Sequence, residues 1–181
     1  MSSFDAVNVT TVVAVDPATA FAVFTDEIGQ WWRPKVRHLF RRGREGVMKF
    51  EPGAVGRLLE TDPDGGQPFE VGRVLIWDPP GRLVFEWRQG SFAPAEVTEV
   101  EVTFEAVEAG TRVTLQHRGW DALPPAHPAR HGFTEGAFTS MMGLRWADLL
   151  TGMRAHGLTR GPGPRQAARE AAEEGPPRSQ A

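Results

Sequence analysis

The sequence predicts an α+β domain in which a curved antiparallel sheet wraps around one long helix near the carboxy end. Three observations carry that prediction. Residues 137–156, AFTSMMGLRWADLLTGMRAH, place Phe138, Met142, Trp146, Leu149 and Met153 at steps of four, four, three and four. That spacing puts five large apolar side chains on one face of an α-helix. The stretches before it alternate apolar with polar residues and are separated by Gly-, Pro- and Asp-rich turns, with no helical pattern between them. The long helix must bury its stripe, and a sheet is the only large partner the chain supplies. Alternation gives each strand one wet face, which implies about six to seven antiparallel strands and excludes a βαβ arrangement.

The elements follow in order. Residues 7–15, VNVTTVVAV, are β-branched and read as a strand. Asp16-Pro17 then supplies a cap and a proline at the first helical position. The next turns place Phe21, Phe24 and Ile28 on one side of a short helix, which ends at Trp31-Trp32 because Pro34 disfavours helix at Arg33. Strands are expected at 47–50, 55–61, 70–77, 82–88, 97–106 and 111–117. Leu83, Phe85 and Trp87 share one face of the fourth of these, and Val100, Val102 and Phe104 one face of the fifth. In the last, Val113, Leu115 and His117 point inward while Arg112, Thr114 and Gln116 point outward. On the long helix Thr139, Ser140, Arg145, Asp148, Thr151 and Arg154 are assigned to the wet side. Residues 1–158 form one domain. Residues 159–181, without an aromatic or branched aliphatic side chain, are expected to be a disordered tail.

Composition excludes several classes. There is no cysteine, hence no disulfide, thiolate metal site or Cys nucleophile, and no tyrosine to act as a phenolic acid. A net charge of −3 gives no global basic footprint for nucleic acid. Neither a signal peptide nor a membrane span is visible, so a cytoplasmic protein is expected. Residues 33–44 carry six basic side chains and no acidic one. They read either as a solvated loop or as a positive rim that would select an anionic ligand.

The ordered series of motifs resembles a known family. Val15-Asp16-Pro17-Ala18 enters the first helix, followed by Trp31-Trp32, Pro52-Gly53 with Gly56-Arg57, and Asp62-Pro63-Asp64-Gly65. Asp78-Pro79-Pro80 then runs into Arg82-Leu83-Val84-Phe85 and Trp87, and Gly110-Thr111-Arg112-Val113-Thr114-Leu115 leads to His117 and Gly119-Trp120. This series resembles the START-like (SRPBCC) superfamily with its helix-grip fold, and within it the homologues of the heat-shock protein 90 ATPase activator. Arg145 stands where that family often has glycine before the tryptophan of the last helix. The resemblance implies a cavity between the last helix and the sheet, commonly used for hydrophobic small molecules; no cofactor is expected. It implies no particular reaction, because members include lipid carriers, polyketide cyclases and chaperone partners.

Candidate cavity residues are Trp32, Trp77, Phe85, Trp87, His117, Trp120, Phe138, Met142 and Trp146; each could equally be core. His117, the inward polar group, is a weak candidate catalytic acid or base; the other reading is a buried histidine that ties the strand end to the following loop. Glu60, Glu70 and Arg73 lie on strands that do not alternate cleanly enough to be oriented. His127 and His131 are four apart, but Pro128 sits between them and no third ligand is evident, so no metal is expected. The expected function is binding of a hydrophobic or amphipathic small molecule, anionic if the basic stretch lies at the mouth. The alternatives are a cofactor-independent cyclase or hydrolase and a chaperone-interacting module.

Overall fold

β1, Ala6–Val13, is the β-branched stretch, and it ends two residues before the expected Val15 because the chain bends at 14–15. Thr111 Oγ1 donates to the Val15 carbonyl at 2.7 Å and holds that bend to the strand paired with β1, where Thr111 stands opposite Val13. The computed structural model describes residues 6–32 and 46–161. The basic stretch 33–44 therefore lies outside the described residues, as do residues 162–181.

Asp16 caps α1, Pro17–Thr25, accepting from the backbone N–H of Ala18 (3.0 Å) and Thr19 (3.1 Å), with Pro17 at the first position. The single early helix expected from the sequence is interrupted at Asp26–Glu27. A second short helix, α2, Ile28–Trp31, follows. Phe21, Phe24 and Ile28 are buried, as their spacing required.

The remaining strands are β2 (Val47–Phe50), β3 (Arg57–Thr61), β4 (Phe69–Asp78), β5 (Arg82–Trp87), β6 (Thr98–Val107) and β7 (Gly110–Arg118). β3 starts two residues later than expected, and Val55 is exposed. The seven strands form one sheet in the order β1-β7-β6-β5-β4-β3-β2, antiparallel throughout. Consecutive strands β1 and β2 thus sit at opposite edges, and α1 and α2 make the crossing. Register aligns Val7, His117, Val100, Phe85 and Val74 in one row across five strands on the buried face.

α3, Glu135–Leu158, closes that face. It rides directly on β1. A Cβ at Gly157 would stand 2.4 Å from Val13 Cγ1, and one at Gly143 would stand 3.8 Å from Val7 Cγ1. All five stripe residues, Phe138, Met142, Trp146, Leu149 and Met153, are buried. Full burial of a large apolar side chain is worth about 1.5–3 kcal/mol, so this face anchors the helix. The opposite face of the sheet carries ion pairs such as Arg82–Glu101 at 2.7 Å and Arg112–Glu105 at 2.9 Å. They are exposed and add little stability, but they keep that side wet.

Candidate functional site

Eight of the nine candidate residues meet between α3 and the sheet. Trp87 and Trp146 have ring centroids 5.1 Å apart, and Trp32 touches both, at 5.9 and 5.8 Å. His117 lies 5.7 Å from Trp87, 5.8 Å from Trp146 and 4.6 Å from Trp120. Trp120 in turn meets Phe138 edge-on at 4.7 Å. Phe85 joins through Trp87 at 6.5 Å, and Met142 is buried on the same helix face. Trp77 belongs elsewhere: its ring packs edge-on against Phe21 (5.3 Å) and Phe50 (6.2 Å), toward α1. The eight are nearly inaccessible, and the seven rings among them pack on one another.

His117 is 0% exposed, and both of its ring nitrogens are engaged. Trp146 Nε1–H donates to Nδ1 at 3.1 Å, which leaves the proton on Nε2 facing Thr98 Oγ1 at 2.8 Å. Thr98 Oγ1–H then donates to the Trp87 carbonyl at 3.2 Å. The network assigns a neutral imidazole. Burial, helped by the nearby Arg145 charge, holds its pKa well below the usual histidine range. In this arrangement no nitrogen of His117 remains to exchange a proton with a substrate.

Arg145 corrects the assignment of the helix faces. It is 8% exposed rather than on the wet side, and burial pulls its guanidinium down to about 10. Leu144 is the residue that faces out, at 71% exposed. Positions 138, 142, 145 and 149 follow the same three-and-four spacing as the apolar stripe, so the helix geometry buries Arg145 whatever its polarity. Glu60 points inward and is buried. Glu70 and Arg73 lie at the surface, where Glu70 meets Arg57 at 3.5 Å and Arg73 at 3.6 Å.

The loop after β7 closes the Trp120 end. His127 Nδ1 accepts from the Ala129 N–H at 3.1 Å, so Nε2–H faces Glu96 Oε2 at 3.0 Å. Phe92 packs edge-on against both Trp120 (6.2 Å) and His127 (5.4 Å). Among the described residues no group of three potential metal ligands occurs. Sequence reasoning missed Thr98 and Arg130. Thr98 shares the inward parity of Val100, Val102 and Phe104 and could have been found by counting back; Arg130, in a 3₁₀ turn (Pro128–Arg130), carries no periodic signal.

A curled antiparallel sheet gripping a long carboxy-terminal helix is the helix-grip architecture of START-like, SRPBCC-type proteins. Residues 14–145 match the family model described as Activator of Hsp90 ATPase homolog 1-like protein, and the chain belongs to that family. A comparison with curated proteins returned no match. Among solved structures, Txn09, described as an anthrahydroquino-gamma-pyrone synthase, is similar at 30% identity with a TM-score of 0.51, over 83% of this chain and 95% of its own. CalC from Micromonospora echinospora, described as a self-sacrificing resistance protein, is 26% identical with a TM-score of 0.58, over 88% and 98%. A protein from Mesorhizobium loti shares the fold at 17% identity and a TM-score of 0.59, over 86% and 98%. No described helix is long and apolar enough to cross a membrane.

Proposed function

We propose that the protein binds a hydrophobic or amphipathic small molecule between α3 and the sheet. The carrying observation is the run of rings that the end of α2, β5, β7 with the 3₁₀ turn after it, and α3 bring onto one inner surface, from Trp32 through Trp87 and Trp146 to His117, Trp120 and Phe138. Their edge-to-face and tilted contacts are the contacts a flat polycyclic molecule would make with the same rings. Trp32 comes from the end of a four-residue helix, and Met142 is unbranched. Both can yield to a ligand without unpairing a strand or shifting α3. The likeness to Txn09, described as an anthrahydroquino-gamma-pyrone synthase, supports a polycyclic aromatic class of ligand.

Native mass spectrometry of the protein as purified, with a titration of tryptophan emission by N-phenyl-1-naphthylamine, tests this reading. A co-purifying small molecule or saturable quenching is expected. An empty mass spectrum together with unquenched emission would remove it.

A cofactor-independent cyclase or hydrolase is the second reading, favoured by the synthase description of Txn09. His117 would be its acid or base, and would first have to leave Thr98 or Trp146. His117→Ala should then abolish turnover in a protein that still folds; retained turnover would sink that role. A chaperone-interacting module rests on the family description alone.

A further inference from the structure

The aromatic run ends at a buried cation. Arg130 is 5% exposed, and its hydrogen bonds to the described residues leave from Nη2, to the carbonyls of Trp120 (2.5 Å) and Leu123 (3.0 Å). Its Cζ lies 5.9 Å from the centroid of the Phe138 ring. Nε is buried with no acceptor among the described residues, and no described carboxylate pairs with this guanidinium. Two carbonyl dipoles and a ring face satisfy donors, but they leave a full positive charge in a low-dielectric place.

The surroundings add to that charge. Phe138 is the fourth residue of α3, so Arg130 stands beside the positive end of a 24-residue helix. Glu135, the acidic residue of that first turn, is exposed to solvent. Two positive poles brought together raise each other's energy, and an anion placed beside them lowers both. From this end the rings of Phe138, Trp120, His117 and Trp146 lead away in sequence. A charged head next to an apolar aromatic track is the shape of a recognition site for an amphiphile.

We propose that the ligand held between α3 and the sheet carries an anionic group, a carboxylate, sulfonate or phenolate, that pairs with Arg130 while its apolar body lies along Phe138, Trp120 and Trp146. This inference rests on the small-molecule reading above. It places the anion-selecting charge within the described fold, at the loop that packs on the start of α3.

Two fluorescent probes test it, 1-anilinonaphthalene-8-sulfonate and N-phenyl-1-naphthylamine, which share their rings and amine and differ by one sulfonate. The wild-type chain should bind the sulfonate at least about tenfold more tightly, the scale of one charge-assisted hydrogen bond. Arg130→Met should abolish that preference by weakening the sulfonate about tenfold, with the neutral amine changed by less than about twofold. Arg130→Lys should restore part of the preference, because it returns the charge without the two-carbonyl staple. If the wild type binds both probes equally, small-molecule binding stands and the anionic inference falls. A preference that survives Arg130→Met also overturns it. If neither probe binds, the small-molecule reading falls and this one with it. Should Arg130→Met fail to fold by circular dichroism, the wild-type ratio and the Lys variant decide between the same outcomes.

Discussion

At the scale of single residues, the informative unit is the chain Trp146 Nε1–H to His117 to Thr98 to the Trp87 carbonyl, which joins α3, β7, β6 and β5 through buried polar contacts. Each donor has one acceptor, so the unit is satisfied only while His117 stays neutral. A proton on Nδ1 would face the Trp146 N–H, donor against donor. The stability consequence has a definite sign. The folded pKa of His117 lies well below the ordinary histidine value of 6.5, so below about pH 6.5 the unfolded chain takes up a proton that the folded chain refuses. The contribution is therefore complete above pH 6.5 and is lost as pH falls toward the folded value, at about 1.4 kcal/mol per pH unit. Urea unfolding at pH 7.5, 6.0 and 5.0 should show that slope in the wild type, reduced by this amount in His117→Phe. Equal slopes in the two would mean that His117 is not held neutral. Trp146 carries packing as well as the hydrogen bond. Trp146→Ala should cost roughly 3–5 kcal/mol, the range for emptying a large aromatic core site. Trp146→Phe, which keeps most of the ring contact and strands the His117 acceptor, should cost about 1–3 kcal/mol. A loss below about 1 kcal/mol for the alanine variant, measured by the same unfolding, would mean that the sheet does not grip this side chain.

At the scale of elements, the close seating of α3 on β1 makes the sharpest demand. Gly157 leaves no room for a methyl group beside Val13. Gly157→Ala gains helix propensity of up to about 1 kcal/mol but overpacks the contact at a cost of about 1–3 kcal/mol. Net destabilisation is expected, and in a double-mutant cycle with Val13→Ala the two changes should offset each other by at least about 0.5 kcal/mol. Strict additivity would show that the helix shifts to relieve the contact. This seating also explains what the sequence could not convey. The strands with clean alternation, β6 and β7, were legible because one face is core and the other largely water, and Val100, Leu115 and His117 fall where parity placed them. β5 keeps Leu83, Phe85 and Trp87 inward as expected but buries Val84 between them as well. β3 and β4 were not legible, because register shifts between Leu58 and Leu59 and between Val74 and Ile76 break the period of two. Glu60 is buried and Leu75 exposed for that reason. The stripe of α3 was legible from its spacing, whereas the burial of Arg145 was masked by its charge. The meeting of His117 with Trp146 depends on how α3 is seated against β7, a long-range property that no local pattern encodes.

At the scale of the whole molecule, the two ends of the crossing helices and of α3 are tied by one carboxylate. Glu27, in the turn between α1 and α2, meets His156 Nε2 at 2.6 Å and accepts from Arg160 Nε at 2.9 Å. Partial burial alone would raise the Glu27 pKa; the hydrogen bonds and charges of His156 and Arg160 outweigh it and hold the carboxyl below its ordinary 4.5. The clasp is thus present above about pH 4.5 and is lost as pH falls through the lower folded value, where protonation removes its charge. The clasp reaches Arg160, which lies inside the segment whose composition predicts a disordered tail from 159. Its energy is modest, because Arg160 is 40% exposed and water screens the pair. Arg160→Ala should lower stability at pH 7 by about 0.5 kcal/mol, with the difference disappearing near pH 3. Ending the chain at residue 161 should leave the melting temperature within about 2 °C, since residues 162–181 hold no aromatic or branched aliphatic side chain to bury. Differential scanning calorimetry of the two variants beside the full chain separates the contributions. A large fall on ending at 161 would show that the last twenty residues pack on the domain, and an Arg160→Ala variant indistinguishable from wild type at pH 7 would reduce the clasp to a surface contact.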